Sequence, residues 1–256
     1  MCERWRARAR QYYKPLSTRQ CDRIVQEALQ AIQTHKLPED TTGIDAFGWH
    51  DSVRLDDDER CVRFRLRKTL TNVDIKHLVD HTWTLYQDSD LYKEGHLGDS
   101  CELFHETLQH ISPDTVIIQR VERYPNLKQL THSLAIIFRV QTETGYMIVI
   151  RCIESPRLQS FMKAEGLSLG GTFAWDSFDV THRDARGECH AIHFTTTGTI
   201  GSDDPMYARR WRDELLVALL RYELQIKDTP ITSIESSAEN ECGSQATPAS
   251  PGIKRV

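Results

Sequence analysis

The last predicted element of the chain constrains its fold more than any other feature. Asp203-Asp204-Pro205 opens a long amphipathic segment, because acidic residues favour the N-cap and proline favours the first helical position. Apolar residues then recur at spacings of three or four, the period of a helix with one buried face. The pattern predicts a helix to about Ile226, roughly 33 Å long and able to cross a small sheet. Its apolar face carries Tyr207, Trp211, Leu215, Leu219 and Tyr222.

The middle of the chain predicts an antiparallel sheet for this helix to cover. Several segments are rich in β-branched and aromatic residues and are separated by glycine, proline or polar clusters typical of turns. These segments are 115–124, 133–142, 146–154, 172–181 and 188–200. Earlier in the chain, residues 62–67 alternate apolar residues with arginines, which is the period of a half-exposed strand.

Two helices are predicted before the sheet. Ser17 and Gln20 have capping-box spacing at the start of a helix that runs to about His35. Thr71 or Asn72 is the predicted cap of a second helix, whose apolar residues extend to Tyr86. The order of helix, strand, helix, antiparallel meander and closing helix predicts an α+β fold in which a curved sheet grips one helix.

Composition predicts a single folded domain with two extensions. The 256 residues, 39% of them hydrophobic, are enough to bury one sizeable core. Residues 17–226 contain all the predicted elements, whereas 1–16 form a basic N-terminal extension. Residues 227–256 are rich in Ser, Thr, Glu and Pro, so we expect a disordered tail.

Charge and hydropathy exclude several classes of protein. The net charge of −5 argues against general nucleic-acid binding. The sequence lacks the run of about eighteen apolar residues that a transmembrane helix needs, and its basic start lacks the apolar region of a secretory signal. Seven cysteines without a repeated spacing fit a reducing compartment. We therefore expect a cytoplasmic protein, with a short mitochondrial presequence as the alternative for the N-terminus.

Three stretches resemble the START family, the steroidogenic acute regulatory protein-related lipid-transfer domains of the helix-grip superfamily. His81–Asp88 resembles the family's helix that precedes the long strands, and Gly145–Arg151 resembles a strand ending in an arginine near the cavity. Gly187–Cys189 and Phe194–Gly198, leading to Asp204-Pro205, resemble the last strand and lid. The resemblance implies a helix-grip fold in which a curved antiparallel sheet wraps around a long C-terminal helix.

The resemblance also implies a tunnel between the sheet and this helix. Arg151 is the predicted anchor for a ligand headgroup; the alternative is that it pairs with a core carboxylate such as Glu122 or Glu188. The residues of the closing helix either form a lid over a ligand or fill a core, because cavities and cores use the same residue types. The predicted ligand-binding residues are Ile136, Phe138, Met147, Arg151, Phe173, Trp175, Phe194, Trp211, Leu215 and Leu219.

The predicted function is the binding or transfer of a lipid or other hydrophobic small molecule, without catalysis and without a cofactor. The alternative is a regulatory or protein-interaction module whose helix-grip core is filled, and a cavity too small for a lipid would favour it. A third possibility, an enzyme related to cyclases and hydrolases of the same fold, requires titratable residues that converge inside the grip.

Three other motifs have simpler explanations. Gly166–Gly170 matches G-x-S-x-G, but a strand is predicted after it rather than before it, the reverse of a nucleophile elbow. His77 and His81 lie four apart on a helix, yet no tetrahedral ligand set accompanies them. The arginines of residues 62–67 form a like-charged row, answered either by the acidic run 56–59 or solvent, or by transient contact with anionic membrane headgroups. The row consists of Arg63, Arg65 and Arg67.

Overall fold

The computed structural model describes residues 10–35, 45–99, 101–125, 127–183 and 189–228. Most of the predicted extension and tail, most of the turn predicted at 183–187, and Glu188 lie outside these residues. Within the described residues, nine strands form one sheet in the order β1-β2-β3-β9-β8-β7-β6-β5-β4. The strands are Asp45–Ala46 (β1), Trp49–Leu55 (β2), Cys61–Thr71 (β3), Glu102–Ser112 (β4), Thr115–Arg123 (β5), Thr131–Gln141 (β6), Gly145–Cys152 (β7), Ser168–Arg183 (β8) and Cys189–Ser202 (β9).

Neighbouring strands in this order pair antiparallel, which confirms the predicted meander. After β3 the chain crosses to the far edge of the sheet and returns through β4 to β8, until β9 inserts between β8 and β3. A short parallel contact joins β6 and β8 at Thr131 and Ser168. The last strand in the sequence, β9, therefore lies near the centre of the sheet and directly precedes the closing helix.

The helices lie on both faces of this sheet. They are Thr18–Thr34 (α1), Ile75–Gln87 (α2), Ser89–Tyr92 (α3), Pro156–Ala164 (α4) and Pro205–Asp228 (α5), and a π-helix at Lys93–Leu97 follows α3. Among the helices that the structure describes, none has the length and apolar character needed to cross a membrane.

The helix starts follow local side-chain chemistry. Ser17 and Gln20 form the predicted capping box of α1, and α5 begins at Pro205 as predicted. The predicted cap of the second helix was wrong: Asp74 caps α2 by accepting a hydrogen bond from the His77 amide at 2.6 Å. Asn72 instead adopts a left-handed backbone conformation with φ of 58°, which ends β3 and turns the chain before Asp74.

The sheet separates two apolar clusters. On the concave face, side chains of β3, β7 and β9 pack with α2 and α5. On the outer face, side chains of β5, β6 and β8 pack with α1 and α4. The predicted α+β helix-grip architecture is confirmed, because α5 lies against the concave face of the antiparallel sheet.

Candidate functional site

An internal cavity lies between the concave face of the sheet and α5. Its volume is about 70 Å³. Trp211, Leu215 and Leu219 cover it from α5, and Ile150, on β7, belongs to the opposite wall. The other lining residues are Phe64, Tyr86, Tyr92, His96, Arg120, Glu122, Ser133, Thr172, Ala174, Thr196, Ile200, Tyr207 and Ala218.

A buried arginine supplies a positive charge in the cavity wall. Arg120 is only 5% exposed, and its Nη2 atom donates to the carbonyl oxygen of Tyr86 at 3.1 Å. Its Nε atom donates to Nδ1 of His105 at 3.3 Å, and the guanidinium lies 3.6 Å from the centre of the Tyr92 ring. Within the described residues, Arg120 forms no ion pair with a carboxylate. The groups in direct contact with its guanidinium are therefore neutral, and one of them is an aromatic face.

Glu122 is the acidic counterpart two residues along the same face of β5. Its carboxylate accepts hydrogen bonds from the hydroxyls of Tyr124 at 2.9 Å and Tyr207 at 3.0 Å. Burial raises the pKa of Glu122, and the nearby Arg120 and the two hydroxyls partly offset that rise. Tyr207 belongs to α5, so this contact connects the closing helix to the polar end of the cavity.

The π-helix adds an imidazole to the same wall. His96 stacks on Tyr92 with ring centres 4.9 Å apart, and burial, reinforced by the charge of Arg120, lowers its pKa to about 3. Its Nδ1 atom is buried and has no hydrogen-bond partner in the described part of the chain. A neutral imidazole with an unpaired nitrogen beside a cavity is an available partner for a polar ligand group.

A second carboxyl group lies behind this wall, on β8. The Tyr86 hydroxyl donates to Asp176 at 2.7 Å. Burial raises the pKa of Asp176 to about 6. The cavity wall that carries Arg120, Glu122 and His96 is therefore polar, whereas Trp211, Leu215 and Leu219 of α5 are apolar. An amphipathic ligand, with one polar group and an apolar body, fits this division.

The predicted ligand-binding residues divide between the two faces of the sheet. Trp211, Leu215 and Leu219 line the cavity. Phe194 is buried in the concave cluster, stacked on Phe178 with ring centres 5.0 Å apart, but it is not part of the lining. The remaining apolar residues belong to the outer cluster, away from the cavity, and they are Ile136, Phe138, Met147, Phe173 and Trp175.

Arg151 also lies on the outer face. Its guanidinium contacts the Ile24 carbonyl oxygen at 3.4 Å and the Glu27 carboxylate at 3.7 Å, and it lies 5.7 Å from the centre of the Phe173 ring. It therefore faces α1 rather than the cavity, and its ion-pair partner is Glu27 rather than Glu122. Among the residues that line the cavity, the arginine is Arg120 rather than Arg151.

Sequence reasoning missed Arg120 and His96. The signal for Arg120 was present in β5, where Arg120 and Glu122 interrupt a run of apolar residues at alternate positions. Two charges on one face of a buried strand indicate a polar interior. His96 carried no comparable signal, because the π-helix that directs it inward has no distinctive sequence pattern.

The remaining motifs take structural roles. Ser168, at the start of β8, is buried and contacts the Thr131 hydroxyl at 3.0 Å, with the strand following it as expected. Arg63 pairs with Asp56 at 2.7 Å, as the simpler explanation predicted. No group of three His, Cys, Asp or Glu side chains able to hold a metal occurs among the residues described.

Comparisons with known proteins place the fold. No protein-family model matches the chain, and no curated protein matches it significantly. Among solved structures, human STARD10 aligns with a TM-score of 0.52 at 12% identity, over 79% of this chain and 81% of that one. Human StAR-related lipid transfer protein 5 aligns with a TM-score of 0.49 at 10% identity, over 82% and 94% of the two chains. A STAR-related lipid transfer protein from Xanthomonas axonopodis aligns with a TM-score of 0.47 at 14% identity, over 71% and 96%.

The architecture and its interior cavity define an α+β protein of the helix-grip class. Within that class, the likeness to human STARD10 shows that the chain has a START-like fold. At this level of identity the likeness concerns the fold alone.

Proposed function

We propose that the protein binds or transfers a lipid or another hydrophobic small molecule between the concave face of the sheet and α5. The observation that carries the proposal is the divided lining of the cavity: apolar side chains on α5 face a buried arginine without an acidic ion-pair partner among the described residues. Burying a charge in this way costs free energy. A ligand whose polar group hydrogen-bonds to Arg120 offsets that cost.

The ligand's orientation follows from this division. Its polar group lies beside Arg120 and the unpaired Nδ1 of His96, and its apolar body lies against Trp211, Leu215 and Leu219. Burial of apolar surface supplies roughly 25 cal/mol per Å². The chemistry is reversible binding without a bond-breaking step, and the START-like fold supports this assignment.

The cavity is so small that one of its walls must move before a lipid fits. Its volume of about 70 Å³ is well below the roughly 300–1,000 Å³ of typical ligand pockets. A lipid therefore displaces α5 outward, since Trp211, Leu215 and Leu219 of this helix cover the cavity. The segment 155–171 lies away from the cavity, because its Leu158 and Met162 pack on the outer face.

The same volume favours a second candidate function, a regulatory or interaction module with a filled core. The two candidate functions predict different ligand affinities when a larger side chain fills the cavity. Ala218 lines the cavity from α5 and is 3% exposed, so Ala218→Leu places a larger side chain where the ligand's apolar body lies. Val217 is 40% exposed on the same helix, and Val217→Leu is the matched control.

We expect Ala218→Leu to lower the affinity for fluorescent fatty-acid and sterol analogues by about tenfold or more, and Val217→Leu to leave it unchanged. Overpacking costs about 1–3 kcal/mol, so thermal unfolding of both variants verifies that they are folded. Equal affinities of the two variants, or no binding of any analogue by the unmodified protein, would favour the filled-core module.

A further inference from the structure

An open groove lies on the outer face of the sheet, away from the cavity. It is bounded by β3, β9 and β8 and by the end of α1, and its volume is about 300 Å³. Arg65 and Arg67 form one side of it, and Trp175 and His35 lie at another, with their rings edge to face and 5.1 Å between centres. The groove combines cations, hydroxyls and an aromatic ring in one place.

Strand register arranges these groups in two rows. Arg65 is paired with Thr197, and Thr197 is paired with Trp175. In the adjacent row, Arg67 is paired with Thr195, which is in turn paired with Ser177. Directly paired residues on antiparallel strands project from the same face, and residues two apart on one strand are about 6.6 Å apart. Two guanidinium groups therefore lie beside three hydroxyl groups and one aromatic ring.

The two arginines are not neutralised by the part of the chain that the structure describes. Arg63, the third member of the row, pairs with Asp56 through both oxygens of the carboxylate, whereas Arg65 and Arg67 have no ion pair within the described residues. Burial and then repulsion by Arg67 lower the pKa of Arg65. The positive charges also act on His35, because its pKa is lowered by burial and by the charges of Arg63 and Arg65.

We propose that this groove binds the phosphate group of a small phosphorylated ligand, with Arg65 and Arg67 as the cations and the hydroxyls of Thr195, Thr197 and Ser177 as hydrogen-bond donors. Guanidinium groups recognise phosphate through paired charge-assisted hydrogen bonds. A phosphate monoester offers three acceptor oxygens, enough for both arginines and a hydroxyl. The ligand is either a soluble phosphate compound or the phosphorylated headgroup of a lipid.

The other end of the groove limits what the ligand carries. Asp179, paired with His193 across β8 and β9, lines this end and accepts a hydrogen bond from the Thr144 hydroxyl. Its negative charge repels a second anionic group on the ligand. Its carboxylate oxygens accept a hydrogen bond from a ligand hydroxyl instead. Together with the net charge of −5, this arrangement disfavours extended polyanions such as nucleic acids.

The test compares two sets of arginines on the same face of β3. Calorimetry measures binding of inorganic phosphate and inositol trisphosphate to the unmodified chain, to Arg65→Gln/Arg67→Gln and to Arg63→Gln. Flotation measures binding to phosphatidylcholine vesicles containing either a phosphatidylinositol bisphosphate or phosphatidylserine at matched charge. Because all three arginines are exposed, these substitutions leave the core intact, and circular dichroism verifies folding.

We expect inositol trisphosphate to bind with one-to-one stoichiometry. The double substitution weakens binding at least about tenfold, and Arg63→Gln changes it by less than about twofold. Selective binding to phosphoinositide vesicles, competed by inositol trisphosphate, identifies a lipid headgroup, and binding of soluble compounds alone identifies a free phosphate ligand; both support the site. The absence of binding by every phosphate probe, an equal loss in Arg63→Gln, or equal binding to phosphatidylserine vesicles would overturn it. Because the groove and the cavity lie on opposite faces, either proposal can fail without the other.

Discussion

At the scale of single residues, Asp176 makes the stability of the folded protein depend on pH. Its folded-state pKa of about 6, raised from 3.8 by burial, means that the folded protein prefers the protonated carboxyl. The resulting stabilisation is fully present below pH 3.8 and is lost as the pH rises through about 6. At neutral pH the folded state therefore carries a buried carboxylate whose hydrogen bonds, including that from Tyr86, do not fully offset its desolvation.

We expect Asp176→Asn to raise the free energy of unfolding at about pH 8, by up to about 3 kcal/mol. The asparagine carbonyl still accepts the Tyr86 hydroxyl, but it carries no charge. Below about pH 4 the two proteins converge, because the wild-type carboxyl is then protonated. Urea unfolding across this pH range measures the difference.

Asp57→Asn is the control for that measurement, because Asp57 is exposed and its replacement is expected to change stability by less than about 0.5 kcal/mol. Destabilisation by Asp176→Asn at high pH would show that the carboxylate is better solvated or better paired than burial indicates.

Of the residues predicted from the sequence to bind a ligand, those on α5 lie beside the cavity, and most of those on the sheet lie on its outer face. The helical period places Trp211, Leu215 and Leu219 on one apolar face. A closing helix buries such a face against the sheet, so the side that these residues occupy follows from the sequence. The strand period correctly grouped Ile136 with Phe138, but it does not say which face of a sheet is concave. Both faces are apolar here, since α1 and α4 cover the outer one.

At the scale of elements, one ionic contact holds the end of α5 against the sheet. The Glu223 carboxylate accepts hydrogen bonds from Lys68 Nζ at 2.7 Å and 2.8 Å and from Trp49 Nε1 at 3.1 Å. The Lys68 and Glu223 side chains are only 17% and 12% exposed. This contact joins α5 to β2 and β3, so it resists the outward movement that we propose for ligand uptake.

We expect Glu223→Ala to cost about 2–4 kcal/mol, because it leaves a lysine and an indole nitrogen without their buried partner. It also accelerates exchange of a bound lipid analogue, since α5 is released at its C-terminal end. Urea unfolding and stopped-flow dequenching measure the two effects.

Leu224→Ala provides the comparison on the same helix, because Leu224 is 60% exposed, and we expect neither effect from it. A destabilised Glu223→Ala variant with unchanged exchange kinetics would show that ligand uptake does not involve movement of this end of α5.

The elements themselves were largely predictable. Strands β5 to β9 and helix α5 follow directly from β-branched segments and from a proline at the first helical turn. Strand β4 was not predicted, because His105, Glu106 and His110 interrupt its apolar residues. It lies at the edge of the sheet order, beside β5, where a polar sequence is tolerated.

At the scale of the whole molecule, the strands that the structure describes form one sheet covered on both faces. The concave face and α5 enclose a small amphipathic cavity, and the outer face carries α1, α4 and a basic groove. Length and pattern predicted the layers, but cavity volume depends on how side chains of distant strands meet, which no single segment of sequence encodes. The limits of the domain at residues 17 and 226 and the cytoplasmic location remain predictions.

The central claim is that a hydrophobic ligand occupies the space beneath α5. Native mass spectrometry of the purified protein, before and after organic extraction and with a lipid panel added, tests it most directly. We predict a one-to-one adduct that is removed by extraction, restored by a lipid bearing one polar group, and absent from Ala218→Leu. A folded protein that has no adduct after purification and gains none from any lipid in the panel would contradict the account.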